Sequence, residues 1–310
     1  MNTLRIKQVD ACTLKPFTGN PAGVVIDGNG LNTEQMQKIA NEMNVSETVF
    51  ALKPTNEEEA DLKIRWFTPS QEVDLCGHAT IALFHALAEE GEFGLEVDEP
   101  QSFLVETKSG ILNVDVEWKN MLPYVKFSLP IPKFFPFPDD ISMLCGALGL
   151  SEIELSKKVR PQITGSGYCF IPVSDYDSLK TVEPNMMLLR KLKDRHDLSG
   201  FAVVTTDTGD KDIDWHMRFF APSLGVAEDP VTGSANGPMA AFLWENGFLD
   251  ETKKFFSFKA SQGRFVGRPG LIDVIMTVDK GEVDGLQIAG QAITVLDGTL
   301  TLNPQIPEKL

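Results

Sequence analysis

Apolar and polar positions alternate in LRIKQVDACTL from Leu4 to Leu14, the pattern of a half-buried strand. A Gly/Asn/Pro turn in PFTGNPAGVVI then leads into a second apolar strand from Ala22 to Ile26. The period changes in LNTEQMQKIANEMN. There Met36, Ile39, Ala40 and Met43 fall on one helical face behind Asn32, a suitable N-cap. ETVFAL and DLKIRWFTP read as strands, and CGHATIALFHALAEEG as a helix closed by Gly91. SFLVETKSGILNVDVEW reads as a hairpin turning near Ser109 and Gly110. Both periodicities fail in LPIPKFFPFPDD, from Leu129 to Asp140, which makes this stretch the expected domain boundary. An ordinary long loop is the alternative.

The first half's pattern then returns. RWFTPSQEVDLCGHATIALFHALAEEG starts at Arg65, and RFFAPSLGVAEDPVTGSANGPMAAFLWENG starts at Arg218. Each runs Arg, two aromatics, a small residue, Pro, Ser, then an acidic turn, a Gly-containing loop and a helix ending in Gly. Three extra residues in the second turn bring Cys76-Gly77-His78-Ala79 opposite Thr232-Gly233-Ser234-Ala235. Upstream, TVFAL resembles GFAVV; downstream, ETKSG faces KASQG, each before an apolar strand. A duplicated α+β domain accounts for the shared order, and its long period marks a pseudo-symmetric pair and not a solenoid.

The length of 310 residues suits two such domains, and 42% hydrophobic residues can build their cores. The net charge of −16 disfavours nucleic acid and anionic membranes as partners. No secretory leader and no apolar run long enough to span a bilayer is visible, so a cytoplasmic protein is expected. The four cysteines, Cys12, Cys76, Cys145 and Cys169, form no CxxC pair. Reduced thiols and no structural metal site are expected.

Each repeat places small residues where a strand hands over to a helix. The first-turn amides of such a helix lack internal acceptors and favour an anion. No GxxxxGK[ST] loop is present, so a small carboxylate is a better guess than a nucleoside triphosphate. The two loops carry different chemistry: a thiol and an imidazole at Cys76 and His78, against Asp229, Thr232 and Ser234 in the second. Each also has a plainer reading. Thr232 and Ser234 read equally as helix caps, Asp229 as a turn residue, His78 as a solvated first-turn histidine and Cys76 as a small buried thiol.

FTGNPAGVV, SETVF, DLCGHATIA and EDPVTGSANG, with the late VLDGTL, resemble the signature blocks of the PhzF-like phenazine-biosynthesis family over almost the full chain. The resemblance implies a diaminopimelate epimerase-like fold: α+β, two pseudo-symmetric domains, each a barrel-like, mostly antiparallel sheet around a central helix, with the site in the cleft between them. The expected domains are residues 1–128 and 129–290, the last strand, about 291–302, returning to the first. By the same resemblance Glu47 is the acid/base that moves a proton between carbons, assisted by His78 and Asp229. Asn20, Gly77, Gly233 and Ser234 would hold the substrate. Diaminopimelate epimerases use one cysteine per repeat; here Cys76 stands at the first position and Thr232 at the second. A hydroxyl is too weak an acid to replace a thiol as base near neutral pH, which disfavours two-thiol racemisation.

The expected function is a cofactor-independent isomerase of a small carboxylic acid. The chemistry calls for no metal, flavin or nicotinamide, and the resemblance implies a homodimer. The alternatives are an amino-acid epimerase or racemase using Cys76 with Glu47, and a binding protein that no longer turns over.

Overall fold

The structure, a computed structural model of the chain, describes residues 3–95, 99–222 and 226–302. The chain divides into two compact units. One comprises Met1–Phe17, Pro21–Val125 and Gln291–Leu310; the other comprises Thr18–Asn20 and Lys126–Gly290.

The first unit is built from β1 (Thr3–Ala11), β2 (Asn20–Val25), α1 (Thr33–Met43), β3 (Glu47–Leu52), β4 (Leu62–Phe67), β5 (Glu72–Val73), α2 (Gly77–Glu89), β6 (Gln101–Thr107), β7 (Gly110–Lys119) and most of β8 (Leu122–Ser128). The start of α1 is set by a capping box, in which Asn32 accepts from the Gln35 amide while the Gln35 side chain accepts from the Asn32 amide. Met36, Ile39 and Ala40 are buried as the spacing predicts. This helix is the crossover that lets β2 lie parallel to β3. Strand β4 pairs antiparallel with β3 and β5 and parallel with β6, and β6 turns at Lys108 and Ser109 into β7.

The second unit repeats this ladder. It contains β9 (Phe134–Pro136), α3 (Ile141–Leu148), β10 (Gln162–Thr164), β11 (Tyr168–Pro172), α4 (Tyr176–Thr181), α5 (Met186–His196), β12 (Gly200–Thr205), β13 (Trp215–Ala221), β14 (Val226–Asp229), α6 (Gly233–Glu245), β15 (Phe255–Gln262), β16 (Gly270–Asp279) and β17 (Glu282–Gly290). Here β11 is parallel to β12; β13 is antiparallel to β12 and β14 and parallel to β15; and β15 is antiparallel to β16. The Pro/Phe-rich stretch lies inside this unit, where it supplies β9 and the cap of α3: Asp140 accepts from the Ser142 amide. After β17 the chain forms β18 (Ala292–Thr301), which pairs antiparallel with β1 in the first unit.

Each unit is thus an α+β repeat with one helix at its centre. Every residue of α2 from Gly77 to Leu87 is buried, and α6 is buried from Ala235 to Leu243. A helix with no polar face is stable only inside a core. It packs on β1, β3 and β18 in the first unit, and α6 packs on β16 and β17 in the second.

The repeated arginine has the same job in both copies. Arg65 holds Glu72 bidentately at 2.7 and 2.9 Å, and Arg218 holds Glu228 at 3.0 and 2.8 Å. Each pins the turn before a central helix to the strand that precedes it. Residues 223–225 of the second turn lie outside the described residues. All four cysteines are buried, and none is in a disulfide. Among the described residues no helix is long and apolar enough to cross a membrane.

Candidate active site

In the first unit three chemically active side chains meet at the start of α2. Glu47 opens β3, Cys76 is the N-cap of α2, and His78 sits in its first turn. His78 Nε2 lies 3.3 Å from Glu47 Oε2, and His78 Nδ1 lies 3.5 Å from Cys76 Sγ. The imidazole therefore stands between a carboxylate and a thiol, one on each ring nitrogen. Burial holds its pKa down to about 3, so the ring is neutral near pH 7. The solvated-histidine reading of His78 is thereby corrected: only 4% of it is exposed.

One ligand atom from each of Glu47, Cys76 and His78 lies within 4.8 Å of the others, a donor set that the spacing of the sequence only half indicates. The fit to a single ion is poor in one respect. The two short contacts use opposite nitrogens of one imidazole, and one metal binds only one of them.

The second unit gathers Asn20, Asp229, Thr232 and Ser234. Asp229 ends β14, and Thr232 is the N-cap of α6. Neither Thr232 nor Cys76 caps its helix with a side-chain hydrogen bond. The cap reading of Thr232 gives way because its hydroxyl goes to Asp229 Oδ2, at 2.5 Å. Asn20 Nδ2 donates to Asp229 Oδ1 at 2.8 Å and to the Val231 carbonyl at 2.9 Å. Burial pushes the Asp229 pKa up to about 6, against the hydrogen bonds from Thr232 and Asn20. Ser234 Oγ lies 2.9 Å from the Tyr168 hydroxyl, a neighbour that no sequence spacing announces.

The helix starts offer polar backbone as well. Gly77 and Gly233 are the first residues of α2 and α6, where an amide has no acceptor inside its own helix. Pro238, inside α6, has no hydrogen to give the Ser234 carbonyl four residues before it.

Sequence reasoning missed the side chains behind Asp229. Gln262 donates to the Asp229 carbonyl at 2.8 Å and accepts from the Thr232 amide at 3.1 Å. It lies in the KASQG block that marks the repeat, but nothing in that block foretells the contact. The next residue must be glycine. Gly263 has φ +82, and a Cβ there would meet the Pro230 carbonyl at 2.6 Å and the Arg268 carbonyl at 2.2 Å.

The chain as a whole is similar to known proteins. Residues 9–298 match the family model described as phenazine biosynthesis-like protein, PhzC-PhzF. An uncharacterized isomerase of Clostridium acetobutylicum is 37% identical, over 96% of this chain and 97% of its own. The trans-2,3-dihydro-3-hydroxyanthranilate isomerase of Pseudomonas chlororaphis is 31% identical, over 95% of this chain and 98% of its own. The crystal structure of a PhzF-family phenazine biosynthesis protein of Bacillus anthracis superposes with a TM-score of 0.85. It is 31% identical, over 97% of this chain and 99% of that one. With the fold and nearly the whole length in agreement, the chain belongs to the PhzF-like isomerase family.

Proposed function

We propose that the protein is a cofactor-independent isomerase that moves a proton between carbons of a small carboxylic acid, with Glu47 as the acid/base. The observation that carries this reading is the contact between Glu47 and a neutral, buried His78. An imidazole with a pKa near 3 does not compete for the proton, so a proton taken from a C–H bond stays on the glutamate. Glu47 removes it as the C–H electron pair shifts into the substrate's π system. The glutamic acid then returns it to a second carbon as the double bond relocates. No electron leaves the substrate, and no oxidant or reductant is consumed.

The first-turn amides at Gly77 and Gly233 are the proposed carboxylate holders. Asp229 and Ser234 are the proposed orienting groups, and Asn20 steadies Asp229. The relative from Pseudomonas chlororaphis is named for an unsaturated hydroxy amino acid, which supports a substrate of that size and charge here. A cytoplasmic homodimer goes with this reading, and size-exclusion chromatography checks the dimer.

The test is a panel of small unsaturated and amino carboxylic acids incubated in D₂O and read by NMR. Deuterium at one specific carbon, without added cofactor, is the expected result. Acids that bind tightly and never exchange a carbon-bound proton would leave a binding protein as the account.

A second reading is favoured by one observation. Cys76 Sγ lies on the other nitrogen of the same imidazole. An epimerase using Cys76 and Glu47 as its two bases would need both groups, whereas the isomerase needs only Glu47.

A further inference from the structure

In the second unit a run of hydrogen bonds leads from the core to Asp229, and its direction is fixed by chemistry. It begins at Trp215 on β13. An indole N–H only donates, so the Asn236 atom 2.8 Å away is its oxygen. The Asn236 nitrogen then faces the other way. It donates to the Thr232 carbonyl at 3.0 Å and to Gln262 Oε1 at 2.7 Å. The Thr232 amide meets the same Gln262 oxygen, so two donors agree on which end of that amide is oxygen.

Gln262 Nε2 must therefore be the donor to its remaining neighbours, the Asp229 carbonyl and, at 3.0 Å, Thr232 Oγ1. With one hydrogen received from Gln262, the Thr232 hydroxyl turns its own toward Asp229 Oδ2. Asn20 supplies the donor for Asp229 Oδ1, and its amide is oriented by the Val231 carbonyl. The amides of Asn20, Asn236 and Gln262 are all buried. Reversing any one would set donor against donor or acceptor against acceptor inside the core.

We propose that Trp215, Asn236, Gln262 and Thr232 act as positioning residues that hold Asp229 Oδ2 as an acceptor, while Asn20 holds Oδ1. In this role Thr232 is a donor to Asp229 and not an acid or base in its own right. The internal repeat sets Thr232 opposite Cys76, and the two N-caps serve different partners: Cys76 faces an imidazole, Thr232 a carboxylate. Glu228, the preceding residue, pairs with Arg218. Burial raises the Asp229 pKa, and the donors Thr232 and Asn20 lower it. Only the consequence for turnover rests on the proposed reaction; the arrangement itself needs no substrate.

The test is a pH titration of the Asp229 carboxyl carbon by NMR in the full chain labelled with ¹³C-aspartate, with Asp229→Asn assigning the signal. Thr232→Val keeps the side chain's shape and removes the donor, so the midpoint should move up by about one pH unit. Thr232→Ser should bring it back, and Thr232→Ala serves if the valine variant does not fold. Trp215→Phe removes the donor at the head of the run, together with part of the buried indole, and should move the midpoint the same way by less. An unchanged midpoint in the folded Val or Ala variant, or no return with Ser, overturns the proposal. An unchanged midpoint in Trp215→Phe overturns the part played by the upstream residues. Because the titration uses no substrate, its failure is distinct from a failure of the D₂O exchange assay.

Discussion

His78 Nε2 and Glu47 Oε2 lie 3.3 Å apart, with the imidazole neutral. A neutral ring does not hold the carboxylate as an ion pair. Glu47→Gln keeps the shape and removes the basicity, so folding and ligand affinity should be nearly unchanged. Turnover should fall by roughly 10²- to 10⁴-fold, the usual contribution of a positioned acid/base. Deuterium uptake at the substrate carbon is the measurement, and a wild-type rate would remove Glu47 from the mechanism.

The thiol at 3.5 Å on the opposite nitrogen decides between the two enzyme readings. Cys76→Ala should retain most exchange activity if Glu47 works alone. Loss as deep as that of Glu47→Gln would instead assign Cys76 the second base. Both variants are compared at one substrate concentration well above KM.

Arg218 and Glu228 form a buried pair whose side chains are each 8% exposed, whereas Arg65 and Glu72 are 20% and 22% exposed. Arg218 also donates to the carbonyls of Leu179 and Val182. Arg218→Met leaves Glu228 buried without its cation and should cost about 3–5 kcal/mol. Arg65→Met should cost clearly less, because water reaches Glu72. Urea unfolding of both variants checks the ranking, and equal costs would show that burial does not govern this pair of matched contacts.

The twin arginines also show what the sequence could reveal. Arg, two aromatics, Pro, Ser and an acidic turn recur because one ladder and one ion pair recur, so the repeat was readable without any structure. Asn32, the start of α2 at Gly77 and the turn near Ser109 were readable for a related reason: caps and turns are set by neighbours in the chain. Asn20 and Asp229 are 209 residues apart, and Gln262 reaches Thr232 because β13 and β15 run parallel beside α6. Such contacts follow from strand pairing, which one sequence does not print. Thr232 shows a further limit: its residue type suits a cap, and the fold uses its hydroxyl for Asp229.

Acid should act on the two site residues with opposite signs. For His78 the folded pKa is about 3 against 6.5 when unfolded. Below pH 6.5 the unfolded chain binds a proton that the folded chain refuses. The stability from this group is thus full above pH 6.5 and falls as the pH drops toward 3. For Asp229 the folded pKa is about 6 against 3.8 when unfolded. Its folded carboxyl takes a proton before the unfolded one does, so its contribution is full below pH 3.8 and is lost as the pH rises through 6. Each slope is at most about 1.4 kcal/mol per pH unit, and between pH 4 and 6 they oppose each other. Differences from wild type cancel the titration of the other carboxylates. Relative to wild type, His78→Gln should therefore gain stability as the pH falls from 6.5 to 4. Asp229→Asn should lose it over the interval from 6 to 4. Urea midpoints collected across that range give both differences. Parallel curves for wild type and His78→Gln would mean that the folded ring takes up its proton as readily as the unfolded one, and the strongly lowered pKa on which the proposed mechanism leans would have to be abandoned.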